Sequence, residues 1–479
     1  MESESATTFS PTPCVTDRRR PESLDTGAGL DGEPWSLAKS GSGSGLRIAV
    51  VTETYPPEVN GVAMTVACVV RGLGLRGNDV QLVRPRQRLS DSSRRDGSIR
   101  MALTGGFGIP GYPGLKMGLP SGRMLRRLWE KDRPDVVHIA TEGPLGWSAL
   151  RAAAELHIPV VSEFRTNFHA YCRHYGIGWL QAPIKGYLRH FHNRTACTMV
   201  PTAALASELA GDGFENLTVV ARGVDTRLFD PMRRSETLRR SWGASPETLV
   251  VLAVGRLAPE KNLGVLQTAF ASMRRMQASV MLVVVGDGPS RHDLQARCPN
   301  AVFAGMRHGE DLAAHYASAD VLLFPSVTET YGNVTPEAMA SGLAVVAFDY
   351  AAAAQLIQHG QTGWLAPVGD VDHFVRLATQ VVRERHRLRR MGEKAREVTG
   401  RLDWSRILEQ IEGHYRSAIR RVINPLCVRS PEFNDIPPGH DSGIYRESIV
   451  PHGRRGISLT HASGATAAQV SGVRYRPAD

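Results

Sequence analysis

Aromatic residues are scarce in this 479-residue chain, at 6%, and acidic residues are outnumbered, 47 against 57 basic ones. The low aromatic content and the lack of a nucleic-acid fold signature argue against a protein that stacks on bases or reads grooves. Long apolar runs are missing as well. Nothing approaches the ~18 consecutive apolar residues of a membrane helix, and the best runs, Leu249–Val254 and Val280–Val285, have strand length. Met1–Arg20 is polar without an apolar centre, so no secretory signal is expected. The six cysteines, at 14, 68, 172, 197, 298 and 427, make no C-x-x-C pair and have no histidines at zinc-finger spacing. They read as buried reduced thiols, which suits the cytoplasm and excludes a disulfide-built fold.

What is present is enough apolar material, 42% of residues, for a sizeable core. At roughly 150 residues per domain, the length suggests two to four domains. The net charge is +10, and a surplus of eight positive charges falls within residues 46–222. Such a bias suits nucleic acid, an anionic membrane face or phosphorylated ligands. Arg-rich composition without functional meaning is the alternative. Arg123, Arg126, Arg127 and Lys131 recur at helical spacing around Leu125, Leu128 and Trp129. That makes an amphipathic basic helix able to lie on anionic lipid, with an ordinary solvated surface helix as the alternative.

Residues 1–45 are polar, end in KSGSGSG, and are expected to be disordered. From Leu46 onward, apolar β-branched runs alternate with helical stretches. LRIAVVT, VQLVRP (80–85), DVVHIA (135–140), IPVVSE (158–163) and ACTMVP (196–201) form one series. The pattern restarts with TLVVLAVG (248–255), ASVMLVVVG (278–286), AVFAG (301–305), DVLLFPS (320–326), LAVVAF (343–348) and TGWLAP (362–367). Near-continuous apolar strands separated by helices mean parallel sheets covered on both faces. The expected architecture is α/β: two doubly wound Rossmann-like parallel-sheet domains, 46–222 and 223–403, facing a cleft. The polar stretch 223–243 reads as the connection between them. One last helix, 404–423, follows, and 424–479 is expected to be a disordered tail.

Two motif matches fail on context. RGLGLRG contains G-x-G-x-x-G at Gly72, Gly74 and Gly77, but after a helix and before a strand, the reverse of a dinucleotide fingerprint. These glycines read as helix C-terminal caps. Asp370-Val-Asp372 matches a D-x-D metal signature, yet reads as a loop far from the cleft. No metal and no cofactor are expected.

Three strand-end loops carry chemistry, because ligands of doubly wound sheets bind at the carboxyl ends of the strands. The first is Gly255-Arg256-Leu-Ala-Pro-Glu-Lys261-Asn262, where a guanidinium fork and a mobile ammonium can converge on a diphosphate. The second runs from Ser326 through Glu329, Tyr331, Gly332, Asn333 and Val334 to Glu337, with Pro336 able to start a helix. A helix N-terminus favours phosphate, and a carboxylate can accept from a vicinal diol. The third is Glu53-Thr-Tyr-Pro-Pro-Glu-Val-Asn60-Gly61, whose glycine lets a ligand approach the backbone closely.

With these residues in place the chain resembles the retaining glycosyltransferases of family 4, which have the two-domain GT-B fold. GRLAPEKN, VVGDGP (284–289), Glu329-x7-Glu337 and VTETYPPEVNGVA carry the resemblance, which covers about 46–423. It implies that Arg256 and Lys261 bind the donor diphosphate, that Glu329 holds hydroxyls of the transferred sugar, and that Glu337 holds the ribose. Gly332, Asn333 and Val334 would present backbone N–H groups. Asn60 and Gly61 would reach the donor from the first domain, and Phe303, Gly305 and Met306 would lie at the base. Relatives commonly carry a histidine where this chain has Arg165, in Phe164-Arg165-Thr166-Asn167-Phe168-His169. Either Arg165 takes that role or His169 substitutes for it, and Arg165 is favoured. Local sequence looks most like bacterial mannosyltransferases and sulfolipid-type transferases. The implied activity moves a hexose, mannose for preference, from a GDP- or UDP-linked sugar to a lipid or glycan hydroxyl, with peripheral contact to anionic membrane and no nucleic acid. A nucleotide-sugar 2-epimerase of the same architecture and a non-catalytic anionic-membrane-binding protein are the alternatives.

Overall fold

The computed structural model describes residues 45–58, 60–88, 91–93, 95–108, 116–165 and 181–423. His169 and, apart from Gly45, the two terminal segments expected to be disordered lie outside them. The described residues all fall within one compact unit.

The first sheet has eight strands. From edge to edge they are Leu217–Val219, Cys197–Val200, Val160–Glu163, Val136–Ile139, Arg47–Val51, Asp79–Pro85, Ile99–Thr104 and Arg95–Asp96. All neighbours are parallel except the last pair. Arg47–Val51 pairs with Asp79–Pro85 on one side and Val136–Ile139 on the other, so the order of strands reverses there. The second sheet has six strands, Val302–Gly305, Val280–Val285, Leu249–Val254, Val321–Phe324, Ala344–Phe348 and Gly363–Ala366, all parallel. Its reversal falls between Leu249–Val254 and Val321–Phe324.

Alternate residues of the central strands serve two cores, because a parallel strand covered on both faces must be apolar throughout. Val251 and Leu282 join one core of the second sheet, Val250 and Leu252 the other. In the first sheet Ala49 and Val51 pack with Leu125, Trp129 and Ala149. Ile48 and Val50 pack on the opposite face with Trp404, Ile407, Leu408, Ile411 and Tyr415. The helix Trp404–Ile423 therefore covers the first sheet although it follows the second in sequence. The chain crosses between the sheets twice, side by side, where Val224 bridges Asp403 and its N–H donates to Leu402 O at 3.0 Å.

Several expectations change. The stretch 223–243 is no loose connection: Phe229 and Trp242 are buried in the second sheet's core. Arg239, 2% exposed, donates to Ser318 O and Thr248 O and pairs with Asp320. The first crossing is made by the short run at 220–224. The helix at 61 runs through Gly61–Leu75, so Gly72 and Gly74 lie in its body. A Cβ on Gly72 would come within 2.3 Å of Leu408, so this glycine permits close helix packing, and only Gly77, at φ +90°, has the left-handed cap conformation. Asp370 is a helix cap, its Oδ1 accepting from His373 N at 2.8 Å, and Asp372 lies in the first turn. On the basic helix Gly122–Lys131, Leu125 and Trp129 are fully buried, and Trp129 Nε1 donates to Gln81 at 2.8 Å. Its apolar stripe belongs to the core, and the cations face outward.

Candidate active site

In the second sheet the loops after Leu249–Val254 and Val321–Phe324 flank the reversal of strand order, so they meet at its carboxyl end. The GRL loop is shaped by its glycines. Gly286 has φ +135°, and a Cβ there would lie 1.9 Å from Gly255 O. The Gly286-Asp-Gly-Pro turn can thus lie flat against the loop, with Leu257 N donating to Asp287 O at 2.9 Å and Ser290 N to Leu257 O at 2.9 Å. Arg256 is exposed at the tip and lines a recess with Lys261, Phe324 and Ser326. Lys261 stands on a 3-10 turn, Pro259–Lys261, ended by Asn262 in the left-handed conformation.

Lys261 Nζ is ion-paired to Glu329 Oε1, which also accepts from Ser326 Oγ at 2.7 Å. Burial alone would raise the Glu329 carboxyl, but Lys261 and Ser326 outweigh it and hold the group below its ordinary value. Gly332, at φ +89°, turns the chain beneath Glu329; a Cβ would crowd Glu329 Cγ at 3.3 Å. The following helix is Val334–Ala340, two residues earlier than a start at Pro336. Proline is tolerated there because first-turn N–H groups have no partner within the helix. Glu337 accepts from Tyr316 Oη at 2.8 Å and is pushed up by burial to about 7. Phe303, Gly305 and Met306 end the edge strand, two strands across from the Arg256 loop. Phe303 is half-buried, Gly305 has φ +74° and Met306 is 50% exposed.

From the first sheet, Asn60 caps the helix that begins at Gly61, accepting from Ala63 N at 2.8 Å and donating to Thr54 at 2.8 Å. Its side chain is therefore committed locally. Gly61 faces Asn333: a Cβ there would be 3.7 Å from Asn333 Nδ2, which lies 3.5 Å from Thr65 Oγ1. Glu53 accepts from Gly118 N at 2.6 Å and Leu145 N at 2.9 Å, so it organises loops.

Arg165 is 4% exposed and ion-paired to Glu163 Oε2. Glu163 Oε1 lies 2.9 Å from His138 Nε2, and His138 Nδ1 lies 2.7 Å from Tyr415 Oη. Burial alone would raise the Glu163 carboxyl, but Arg165 and His138 overcome it and hold the group at about 2. Arg222, on the crossing segment, reaches Arg165 O at 3.4 Å and Asn333 Oδ1 at 3.5 Å. Sequence reasoning missed Glu163, His138, Tyr415 and Arg222. The available signal was a histidine inside one largely apolar strand and a glutamate at the end of the next, since buried polar side chains need partners. Among the described residues no three His, Cys, Asp or Glu side chains gather as a metal would require, and no helix is long and apolar enough to cross a membrane.

Two facing doubly wound lobes, with a cation–carboxylate pair at the switch point of one, define a glycosyltransferase of the GT-B class. Residues 59–228 match the family described as Glycosyltransferase Family 4, and residues 248–384 match Glycosyl transferases group 1. A GDP-mannose-dependent alpha-mannosyltransferase of Mycobacterium tuberculosis is 36% identical over 78% of this chain and 97% of its own length. A sulfoquinovosyl transferase of Arabidopsis thaliana is 30% identical over 81% of this chain and 75% of its own. A sucrose-phosphate synthase structure from Thermosynechococcus elongatus superposes with a TM-score of 0.64 at 19% identity, over 77% of this chain and 98% of that one. The chain belongs to glycosyltransferase family 4 and is an enzyme that transfers a hexose from a nucleotide sugar.

Proposed function

We propose that the enzyme transfers mannose from GDP-mannose to a hydroxyl of a lipid or glycan acceptor, with retention of anomeric configuration. The observation that carries the site assignment is the Lys261–Glu329 pair at the switch point. With donor bound, Lys261 turns to the diphosphate beside Arg256, and Glu329, already ionised, is released to take hydroxyls of the transferred sugar. Departure of the sugar places negative charge on the β-phosphate, and fixed cations stabilise it more than the ground state. The departing phosphate then takes the acceptor proton on the same face. Glu337 holds the ribose. Two strand spacings, roughly 10 Å, separate the Arg256 loop from Phe303, Gly305 and Met306, a span suited to a nucleotide lying from phosphate to base. Asn333 and Gly61 close on the donor from opposite lobes, with the N–H groups of Gly332, Asn333 and Val334 directed at it. His169 has no part in this reading; Arg165 serves the first lobe.

In the same reading residues 46–222 form the acceptor-side domain, 223–403 the nucleotide-sugar domain, and 404–423 a helix returned to the first. The exposed cations Arg123, Arg127 and Lys131 make an electrostatic contact with anionic membrane, without insertion of the helix that carries them.

The test is nucleoside diphosphate release from GDP-mannose, UDP-glucose, UDP-galactose and UDP-N-acetylglucosamine, with product NMR for the anomeric outcome. Release fastest from GDP-mannose with a retained product is expected. No release from any donor, with acceptor present, refutes the reading, and isomerised sugar without acceptor would mark an epimerase.

A further inference from the structure

The junction between the lobes holds more positive charge than its own carboxylates neutralise. Arg165 uses one terminal nitrogen for Glu163, while its Nε and Nη1 are buried with no hydrogen-bond partner among the described residues. Among the described residues the hydrogen bonds of the Arg222 guanidinium lie at the long limit, 3.4 Å to Arg165 O and 3.5 Å to Asn333 Oδ1. Its guanidinium lies 5.8 Å from the Tyr331 ring centroid. Among the described residues no carboxylate stands within ion-pair distance of it. Glu163 and Glu329 attract it from further away, and each is already engaged, Glu163 by Arg165 and His138, Glu329 by Lys261. Arg165 and Arg222 line one recess, closed on its apolar side by Val69, Met199 and Trp404.

Two guanidinia against one carboxylate in such surroundings repel one another, and a buried donor left without a partner is costly. Burial and the neighbouring Arg165 push Arg222 down to about 10, so it stays charged at neutral pH. An anion between them would satisfy the open Arg165 nitrogens and offset the repulsion.

We propose that Arg165 and Arg222 form one anion subsite at the junction of the lobes, filled by a phosphate group of a bound substrate. Arg222 decides whether it is occupied, because Arg165 is already held by Glu163. The subsite rests on the donor reading above and extends it to a residue outside the GRL and Glu-x7-Glu loops. The phosphate belongs either to the nucleotide donor or to a phosphorylated acceptor.

The experiment uses the full chain with Arg222→Gln, Arg222→Lys and Lys261→Ala, and compares the melting temperature without ligand with affinities for GDP, UDP and glycerol 3-phosphate. Arg222→Gln should melt no lower than the parent, since it removes a repelled cation, and should bind one phosphate probe roughly ten- to a hundredfold more weakly. Arg222→Lys should recover part of that affinity. Loss confined to GDP or UDP assigns the donor's phosphate, and loss confined to glycerol 3-phosphate assigns the acceptor's. Unchanged affinity for all three probes in Arg222→Gln, or a lowered melting temperature with unchanged affinity, overturns the subsite. If Lys261→Ala loses nucleotide affinity in that case, the donor reading stands without it; if Lys261→Ala also binds normally, the donor reading is what fails.

Discussion

On the second lobe, polar side chains that face the cleft are held in pairs: Lys261 with Glu329, and Tyr316 with Glu337. On the first lobe, Glu163 is shared by Arg165 and His138, and His138 passes the connection on to Tyr415 in the last described helix. The Lys261–Glu329 pair joins a 3-10 turn to a loop beside the strand reversal, so a ligand can separate it with little disturbance, and the Tyr316–Glu337 pair ties two neighbouring helices together. The chain of contacts on the first lobe runs through strand interiors and a helix from the far end of the sequence, so breaking one member strands the others. The second lobe is arranged to exchange partners, and the first to hold one cation still.

Breaking the first lobe should cost the most stability. Glu163→Gln leaves two guanidinia with no carboxylate between them, and losing one partner of a buried ion pair costs about 3–5 kcal/mol. Denaturant unfolding should show that loss, and an unchanged midpoint would refute the shared network. Breaking the second lobe should cost function instead. Lys261→Ala should slow turnover about 10²- to 10³-fold, the scale for one electrostatic donor in the transition state, with a smaller loss of melting temperature than Glu163→Gln, since Glu329 keeps its hydrogen bond from Ser326. A variant that is unfolded yet active per folded molecule would reverse the contrast. Tyr415→Phe removes only a hydroxyl at His138 and should cost about 1–3 kcal/mol of stability. Turnover should change less than in Lys261→Ala, and a larger drop in activity than in stability would mean that the helix tunes Arg165 directly.

The smallest effect is a pH dependence. Burial raises Glu337 from 4.5 to about 7, so between those values the folded chain binds a proton that the unfolded chain has lost. Stability from this group is therefore complete below about 4.5, falls as pH rises through the window, and is gone above about 7. Glu337→Gln should flatten that part of the pH–melting profile. Identical slopes in parent and variant would show that Glu337 is not raised.

The strand series was legible from its apolar runs, and strand limits moved by only a residue or two. Ile99–Thr104 and Leu217–Val219 escaped, the first because Arg100 interrupts its pattern and no helix separates it from Asp79–Pro85, the second because it is only three residues long. The loops carrying Arg256, Lys261, Glu329 and Glu337 were legible because strand ends and glycine turns mark them locally. Asn60, expected to reach the donor, also caps the helix that begins at Gly61, and Asp370, set aside as a metal ligand on its context, caps Val371–Arg383.

The sequence by itself determined the central strands of both sheets, that these run parallel and are covered, and which switch-point loops carry charge, since each follows from side-chain chemistry read over a few neighbouring positions. Tertiary structure alone decided that Tyr415 meets His138 across 277 positions, that Leu408 packs on Gly72, and that Arg222 is set beside Arg165. Those contacts depend on how distant segments cross and pack, and no local periodicity records which buried polar group will find which partner.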